Sequence, residues 1–489
     1  MNTKKVYIET YGCQMNVADT EVVLSVLDKA GYTPTTILDD ADLAFMNTCA
    51  IRENAEEKVW NRLNHWKGLK RRKPEMVMGL LGCMAEHLRK DLLQSKDNII
   101  DLVVGPDEYR KLPALVEATR DSGESGIAVK LSRTETYDDI LPFRAEGISA
   151  FISVMRGCDK FCTFCVVPFT RGRERSRTLA SIADECMQLE QQGFKEITLL
   201  GQNVNSYLDE GKDFSDLLAA CAKAVPNIRI RYTTSHPQDF DQKLTDTMQN
   251  YANICKYIHL PLQSGSDRIL KLMNRTYTRK HYMSIIEMIK KSMPEAALST
   301  DIIVGFCSET LEDHLQTMEV MREVEYEGAY MFNYSPRPNT KAFDTLPDDV
   351  PLVEKTRRLN QIINMQNKIA EQKNLMEIGS EHTVLVEGRS KKNESEWKGR
   401  TDSNKMVIFP RIDAEVGEYR RVKILRSNSA TLFGELIDVK ESKHISRTSQ
   451  DRGEVIYDLT PLVISSVSEH EHSGVDQPAA MLPIISSVF

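Results

Sequence analysis

Three times within its first hundred residues the chain repeats one unit: a short apolar strand, a turn holding a cysteine, and an amphipathic helix. The strands read as Val6 to Glu9, Leu43 to Asn47 and Met76 to Leu81, and Cys13, Cys49 and Cys83 follow them. The first helix carries Val22, Val23, Val26, Leu27 and Ala30 on one face and stops at Gly31, the period and the C-terminal signal of a helix. Strands that alternate with helices build a parallel sheet. The turns leaving those strands gather at its carboxyl edge, where open α/β sheets place their ligands. Three cysteines far apart in sequence can therefore meet at one edge, although each taken singly also suits a buried core position.

At 489 residues the chain has room for about three domains of roughly 150 residues each. The repeated α/β units occupy 1–120. From 121 to 146 the sequence is polar and rich in Gly, Ser and Asp, which predicts a linker with one edge strand. Strands recur over 147–375, at Phe151 to Met155, Ile197 to Leu200, Ile228 to Thr233, Tyr257 to Leu260, Leu298 to Val304 and Ala329 to Asn333. Helical stretches such as Leu179 to Gln192 and His281 to Lys291 separate them. Six β/α units predict an incomplete (β/α)6 barrel or a strongly curved parallel sheet, whose post-strand loops form the active-site face. Residues 352–377 are charged and helical, a connecting helix expected on the surface.

Five short strands follow, at Thr383 to Val386, Trp397 to Thr401, Lys405 to Phe409, Arg421 to Leu425 and Thr431 to Leu436. They predict a small antiparallel β-barrel over 376–440. Residues 441–489 turn to Ser, His, Glu and Pro without a period, the composition of a disordered tail, and no function is assigned to them. The fold class is α/β with a small β-barrel near the carboxyl end.

Ten cysteines in this length, behind a start that has no signal-peptide pattern, read as thiols, metal ligands or core residues rather than a disulfide scaffold. Apolar residues at 41% and charged residues at 27% are ordinary for a soluble protein, and no run is long enough to span a bilayer. A cytoplasmic location with no membrane partner is expected. Spacing then separates the cysteines. Arg156-Gly157-Cys158-Asp159-Lys160-Phe161-Cys162-Thr163-Phe164-Cys165 places three of them directly after a strand. A structural zinc site wants four closing ligands, whereas three thiolates on a cubane iron–sulfur cluster leave one iron open. Taken alone, so short a cluster still suits zinc or a core feature. Cys186, Cys221, Cys255 and Cys307 read as buried and inert.

Cys158, Cys162 and Cys165 resemble the CxxxCxxC signature of radical S-adenosylmethionine (SAM) enzymes. That resemblance implies a 4Fe-4S cluster whose open iron is chelated by SAM, and one-electron cleavage of the sulfonium to a 5′-deoxyadenosyl radical. A radical of that kind requires a site that excludes water and holds the target hydrogen in a near-attack position. The words Tyr11-Gly12-Cys13-Gln14-Met15-Asn16, Asn47-Thr48-Cys49-Ala50-Ile51-Arg52-Glu53 and Gly82-Cys83-Met84-Ala85-Glu86 resemble the amino-terminal domain of methylthiotransferases. In that family the three positions bind an auxiliary 4Fe-4S cluster, which here implies Cys13, Cys49 and Cys83 as its ligands. The tripeptide Gln14-Met15-Asn16 resembles the MiaB type, which modifies C2 of N6-isopentenyladenosine beside the tRNA anticodon.

The resemblance implies two SAM molecules per turnover, one to methylate the sulfur and one to yield the radical. It also implies tRNA as substrate and a flavodoxin- or ferredoxin-type reductant; the sulfur donor is not indicated and a monomer is expected. Relatives that act on threonylcarbamoyl-adenosine or on ribosomal protein S12 usually carry other residues after the first cysteine. From a different class, a non-catalytic iron–sulfur or zinc protein that binds RNA fits the same cysteines.

Other post-strand words look like family cofactor contacts and single out Gln202, Asn203, Gln263, Ser264 and Asp301, although turns that simply cap strands look the same. Cys307-Ser308 departs from the Pro-Gly of many relatives. No acid–base catalyst is expected: His236 and His259 sit at strand ends and read as satisfied polar residues, and there is no Ser-His-Asp arrangement or Walker loop.

A net charge of −8 does not announce a nucleic-acid binder, so local patches carry the question. Arg171, Arg173, Arg175 and Arg177 form an alternating basic run after the cluster loop, which reads equally as an RNA contact or a structural charge cluster. Residues 389–426 hold eleven Lys/Arg against six Asp/Glu. That segment, with Gly399-Arg400-Thr401-Asp402 and Phe409-Pro410, resembles the TRAM domain that ends methylthiotransferases and implies RNA contacts through Lys391, Lys392 and Arg400.

Overall fold

The computed structural model describes residues 4–49, 53–88, 99–144 and 147–437. The tail expected over 441–489 lies outside the described residues. The chain divides into two compact units at Ala145 and Glu146.

In the first unit the strands are β1 (Lys4–Tyr11), β2 (Tyr32–Pro34), β3 (Leu43–Thr48), β4 (Val77–Gly82), β5 (Leu102–Val104) and β6 (Gly126–Ala128). They pair in the order β2-β1-β3-β4-β5-β6, every pairing parallel. β3 and β4 are buried along their whole length because helices cover both faces. Val6, Ile8, Leu43, Phe45 and Leu81 pack on one side with Val23 and Leu27 of helix Gln14–Asp28. Tyr7, Ala44, Met46, Met78 and Leu80 pack on the other with Trp66 of helix Glu53–Arg72. The split follows the two-residue period of a strand. A fully buried side chain such as Phe45 or Leu27 stabilises by roughly 1.5–3 kcal/mol relative to exposure.

The stretch 121–146, expected as a linker, supplies the edge strand β6 and more. Tyr137 and Ile140 are buried in the core of the first unit, Tyr137 donates to the Pro106 carbonyl at 2.9 Å, and Arg144 pairs with Glu21 at 2.9 Å. Two apolar side chains in a polar stretch are enough to fasten it, and composition alone does not show that.

In the second unit six parallel strands follow in chain order: β7 (Ser149–Ser153), β8 (Glu196–Leu200), β9 (Arg229–Thr233), β10 (Tyr257–His259), β11 (Ala297–Val304) and β12 (Gly328–Asn333). They form two ladders, β9-β8-β7 and β10-β11-β12, with a parallel bridge from Ile230 to Ile254 beside β9. Among the described residues β7 and β12 do not pair, so the barrel is incomplete. Ile152, Ile197, Leu199, Ile230, Tyr232, Leu298 and Ile302 face the helices. Alternation leaves Ser153, Thr198, Arg231, Thr233, His259, Ser299 and Asp301 on the inner face, a polar lining. The intervening helices start on caps that their sequence supplies: Thr178, Asp213, Thr278 and Thr310 each accept a backbone N–H of the first turn. Helix Leu352–Met376 is not a surface connector, because its Lys355, Arg358, Ile362 and Gln366 are buried and Gln366 Nε2 donates to the Tyr326 carbonyl at 2.8 Å.

The last five strands are β13 (Glu381–Arg389), β14 (Glu396–Arg400), β15 (Met406–Pro410), β16 (Tyr419–Ser427) and β17 (Leu432–Leu436). They close a barrel in the order β13-β14-β15-β17-β16. Four pairings are antiparallel, and β15 with β17 is parallel. This barrel sits at the amino edge of the larger one. Arg229 Nη1 donates to the Arg400 carbonyl at 2.9 Å, and Arg231 donates to the carbonyls of Asp402 and Thr401 at 2.9 and 2.7 Å. Lys256 N donates to Asp402 Oδ2 at 3.2 Å.

Candidate functional site

In the first unit the pairing register lines up the ends of three neighbouring strands. Tyr11 stands opposite Thr48, and Thr48 opposite Gly82. Cys13, Cys49 and Cys83 therefore leave the sheet side by side, at the roughly 4.7–4.9 Å spacing of strands. Close packing enforces the arrangement. Gly12 has φ +130°, and a Cβ there would stand 2.5 Å from Cys49 Cβ; Gly82 has φ +87°, and a Cβ there would stand 2.4 Å from Asn47 Oδ1. Beneath the turns Asn16, Thr20 and Asn47 are buried, and Asn47 Nδ2 donates to Thr20 Oγ1 at 3.0 Å. Cys13 caps helix Gln14–Asp28, and Cys83 opens helix Cys83–Leu88. Helix amino ends stabilise thiolates.

In the second unit Cys158, Cys162 and Cys165 occupy the loop after β7, on the carboxyl edge of the barrel. Gly157 turns the chain at φ +80°, and a Cβ there would stand 2.0 Å from the Arg173 carbonyl oxygen. Cys158 N donates to the Gly172 carbonyl at 3.1 Å. The loop is clamped by a segment more than a hundred residues away. Thr163 donates to the carbonyls of Leu272 and Met273, Asn274 Nδ2 to the Phe161 carbonyl, and Arg275 Nη1 to Cys162 Sγ at 3.3 Å. Burial pushes the thiols of Cys158 and Cys165 up to about 12, so thiolates there require a positive partner. Iron held on three sulfurs supplies one, and the donor set fits such a group. None of the ten cysteines is in a disulfide, and Cys186, Cys221, Cys255 and Cys307 are buried.

Residues 5–105 match the model of a family described as uncharacterized protein family UPF0004, residues 152–321 that of the radical SAM superfamily, and residues 376–437 that of the TRAM domain. A protein of Chloroherpeton thalassium named tRNA-2-methylthio-N(6)-dimethylallyladenosine synthase is 50% identical over 432 residues, covering 88% of this chain and 95% of its own length. The chain belongs to this synthase family. Synthases of the same name from Amoebophilus asiaticus and Bacteroides thetaiotaomicron are 51% and 50% identical, over 89% of this chain and 93% and 96% of theirs. In fold, the chain is similar to the radical SAM methyltransferase TsrM of Kitasatospora setae, solved with cobalamin and a 4Fe-4S cluster bound. The TM-score is 0.53 at 13% identity, covering 70% of this chain and 77% of that one. This member of the synthase family is a radical SAM enzyme, whose chemistry rests on an iron–sulfur cluster and SAM.

Of the positions that sequence singled out for SAM, this synthase-family chain keeps two with chemistry to spare. Gln263 stands at φ +67° with Oε1 buried and without a hydrogen-bond partner among the described residues. Asp301 lies on the inner face with Oδ1 3.4 Å from His259 Nε2. Gln202 is a brace, its Oε1 accepting from Gly157 N at 2.6 Å. Asn203 and Ser264 are bonded within the fold. Both are buried, and Asn203 spends both ends of its amide on Asp239 Oδ2 at 2.7 Å and His236 N at 3.0 Å. Ser264 Oγ accepts from Ser266 N at 3.2 Å.

The basic run lies mostly inside the fold. Arg171, Arg175 and Arg177 are buried; Arg175 donates to the carbonyls of Arg173 and Arg171 at 3.2 Å, and Arg177 pairs with buried Glu185 at 2.6 Å. Arg173 alone is on the surface, paired with Asp159 at 2.6 Å. Lys391 and Lys392 are exposed, while Arg400 is part-buried and pairs with Glu387 at 3.2 Å.

Sequence reasoning missed the turn after β9. Thr234 has φ +70°, a costly backbone for a β-branched residue. Around it Thr233 Oγ1, Ser235 Oγ and His236 Nε2 are buried with no hydrogen-bond partner among the described residues. A buried polar group left unmade costs about 1–3 kcal/mol, so these atoms fit a polar molecule bound at the carboxyl edge. His236 takes an N–H from Gln238 on Nδ1 at 3.3 Å. Burial, with the nearby cations Arg275 and Lys160, pushes its pKa down to about 2. A neutral ring so bonded carries its proton on Nε2. The Thr-Thr-Ser-His word was the available signal, and period-2 reading absorbed it into a strand end.

Proposed function

We propose that the chain places a methylthio group on C2 of N6-dimethylallyladenosine next to the tRNA anticodon. Two triads, Cys13, Cys49, Cys83 and Cys158, Cys162, Cys165, each hold a 4Fe-4S cluster by three thiolates. The observation that carries the two-cluster reading is the side-by-side exit of Cys13, Cys49 and Cys83 from adjacent strands, alongside a second triad on the other unit. Identity near 50% over almost the full length of synthases with that name supports the substrate.

With the clusters and SAM bound, they supply one-electron sulfonium cleavage at the barrel and a resting place for sulfur on the first unit. The protein's own residues position and enclose. Gln202, through Gly157, and Asn274, through Phe161, hold the cluster loop on the carboxyl edge. Gln263, Asp301, Thr233, Ser235 and the Nε2–H of His236 bind the polar parts of SAM. The polar inner lining accepts the adenosine. The exposed cations of the small barrel, Lys391 and Lys392 among them, hold RNA phosphates. A flavodoxin- or ferredoxin-type protein delivers the electron, and the enzyme acts as a cytoplasmic monomer.

The test is anaerobic reconstitution followed by mass spectrometry of tRNA nucleosides. About eight iron per chain, SAM cleavage under reduction and methylthio-dimethylallyladenosine on tRNA are expected. Cys162→Ala should lose SAM cleavage. Cys49→Ala should retain cleavage and lose the modified nucleoside. Full activity on threonylcarbamoyl-adenosine or on a ribosomal protein, with none on dimethylallyladenosine, would overturn the substrate.

A further inference from the structure

Among the three thiols of the 158–165 loop, one has a guanidinium partner. Arg275 Nη1 lies 3.3 Å from Cys162 Sγ, while Nη2 donates to the Pro261 carbonyl at 3.1 Å and Nε to Tyr277 Oη at 3.0 Å. The guanidinium stands 5.0 Å from the centre of the Tyr277 ring. Tyr277 is itself buried and donates to the Leu262 carbonyl at 2.7 Å. Three anchors from two segments hold one fork, so the cation cannot turn away from the sulfur. Its own segment grips the loop through Thr163 and Asn274, which fixes the distance from both sides.

Three thiolates around a cubane make an anionic site, and each added electron makes it more so. Hydrogen bonds to cluster sulfurs, together with net charge, set the potentials of such centres. A permanent cation in a part-buried place favours the reduced state more than the oxidised one. We infer that Arg275 is a positioning residue that raises the reduction potential of the cluster held by Cys158, Cys162 and Cys165, and so lets a biological reductant load it before SAM is cleaved. This rests on the reading of Cys162 as a cluster ligand.

The experiment is a redox titration followed by electron paramagnetic resonance, in full-length protein carrying Cys13→Ala, Cys49→Ala and Cys83→Ala so that a single cluster is read. In Arg275→Met the reduced-to-oxidised ratio at a fixed potential should fall on the order of tenfold, equivalent to about 59 mV for one electron. Arg275→Gln keeps a donor without the charge and should fall between. Arg275→Lys should return most of the loss. Potentials that are equal across the series at full iron content would overturn the inference. So would iron loss in Arg275→Gln, which would make the arginine a holder of the loop. A parent protein that binds no four-iron cluster would instead overturn the ligand assignment itself.

Discussion

Asn47 and Asn16 form a reciprocal pair beneath the N-terminal cysteines. Asn47 Nδ2 donates to the Asn16 carbonyl at 2.8 Å, and Asn16 Nδ2 donates to Asn47 Oδ1 at 3.1 Å. Both are fully buried. One stands in the first helical turn after Cys13 and the other two residues before Cys49, so the pair locks one cysteine turn to the next. Asn47→Ala is expected to strand the Asn16 amide and to cost roughly 1–3 kcal/mol, with iron lost from the first unit and retained on the 158–165 loop. Denaturant unfolding combined with iron analysis checks it. Wild-type stability and full iron would remove the pair from this role.

Arg231 ties the small barrel to the large one. Among the described residues, Arg231→Ala leaves Glu196 with Arg229 at 3.9 Å in place of a 2.8 Å partner. It also takes donors from the carbonyls of Thr401 and Asp402. Breaking a buried pair in this way costs about 3–5 kcal/mol. Limited proteolysis should then release a fragment close to 376–437, while one cooperative transition at the original midpoint would speak against Arg231 as the main tie.

Acid should loosen the same junction. Glu377, just past helix Leu352–Met376, is held down to a pKa of about 2 by the hydrogen bond from His382, against burial and with help from Lys405. The contacts are 2.9 and 2.8 Å. Its folded pKa lies below the ordinary 4.5, so its contribution is complete above that pH, declines as pH falls and is gone below about 2. The amount is about 2 kcal/mol after allowing for partial exposure. Denaturation midpoints measured across this window should lose that part of their slope in Glu377→Gln; an unchanged slope would place the acid sensitivity elsewhere.

Two sets of cations should behave oppositely. Arg177→Ala uncovers Glu185 in the interior and should destabilise by about 3–5 kcal/mol with no change in the salt dependence of RNA binding. The double variant Lys391→Ala, Lys392→Ala should melt as the parent does. It should weaken RNA uniformly across sequences, with the salt slope reduced by about one for each phosphate that is no longer neutralised. Fluorescence anisotropy over a salt series separates the two, and a slope change in Arg177→Ala alone would reverse this assignment.

Much of the architecture was legible because it is local. The three strand, cysteine and helix units, the six barrel strands and the five short strands each carry their own period, and the structure shows them within a few residues of the expected bounds. The cysteines could be picked by spacing because turns after parallel strands share one edge. What escaped depended on partners distant in the chain. The arginines at 171, 175 and 177 look like a surface run until the fold buries them, and the polar stretch at 121–146 looks like a linker until Tyr137 and Ile140 find a core. Nothing near Arg275 in the sequence announces Cys162.

The amino-acid sequence by itself determined where strands and helices form and which turns carry thiols, since periodicity, capping and glycine placement act within a few residues. Only the tertiary structure decided which charged and amide side chains are spent inside, which edge of the large barrel the small one occupies, and which thiol meets a cation. Those outcomes come from long-range packing, where a guanidinium or an amide must find its partner or remain buried without one.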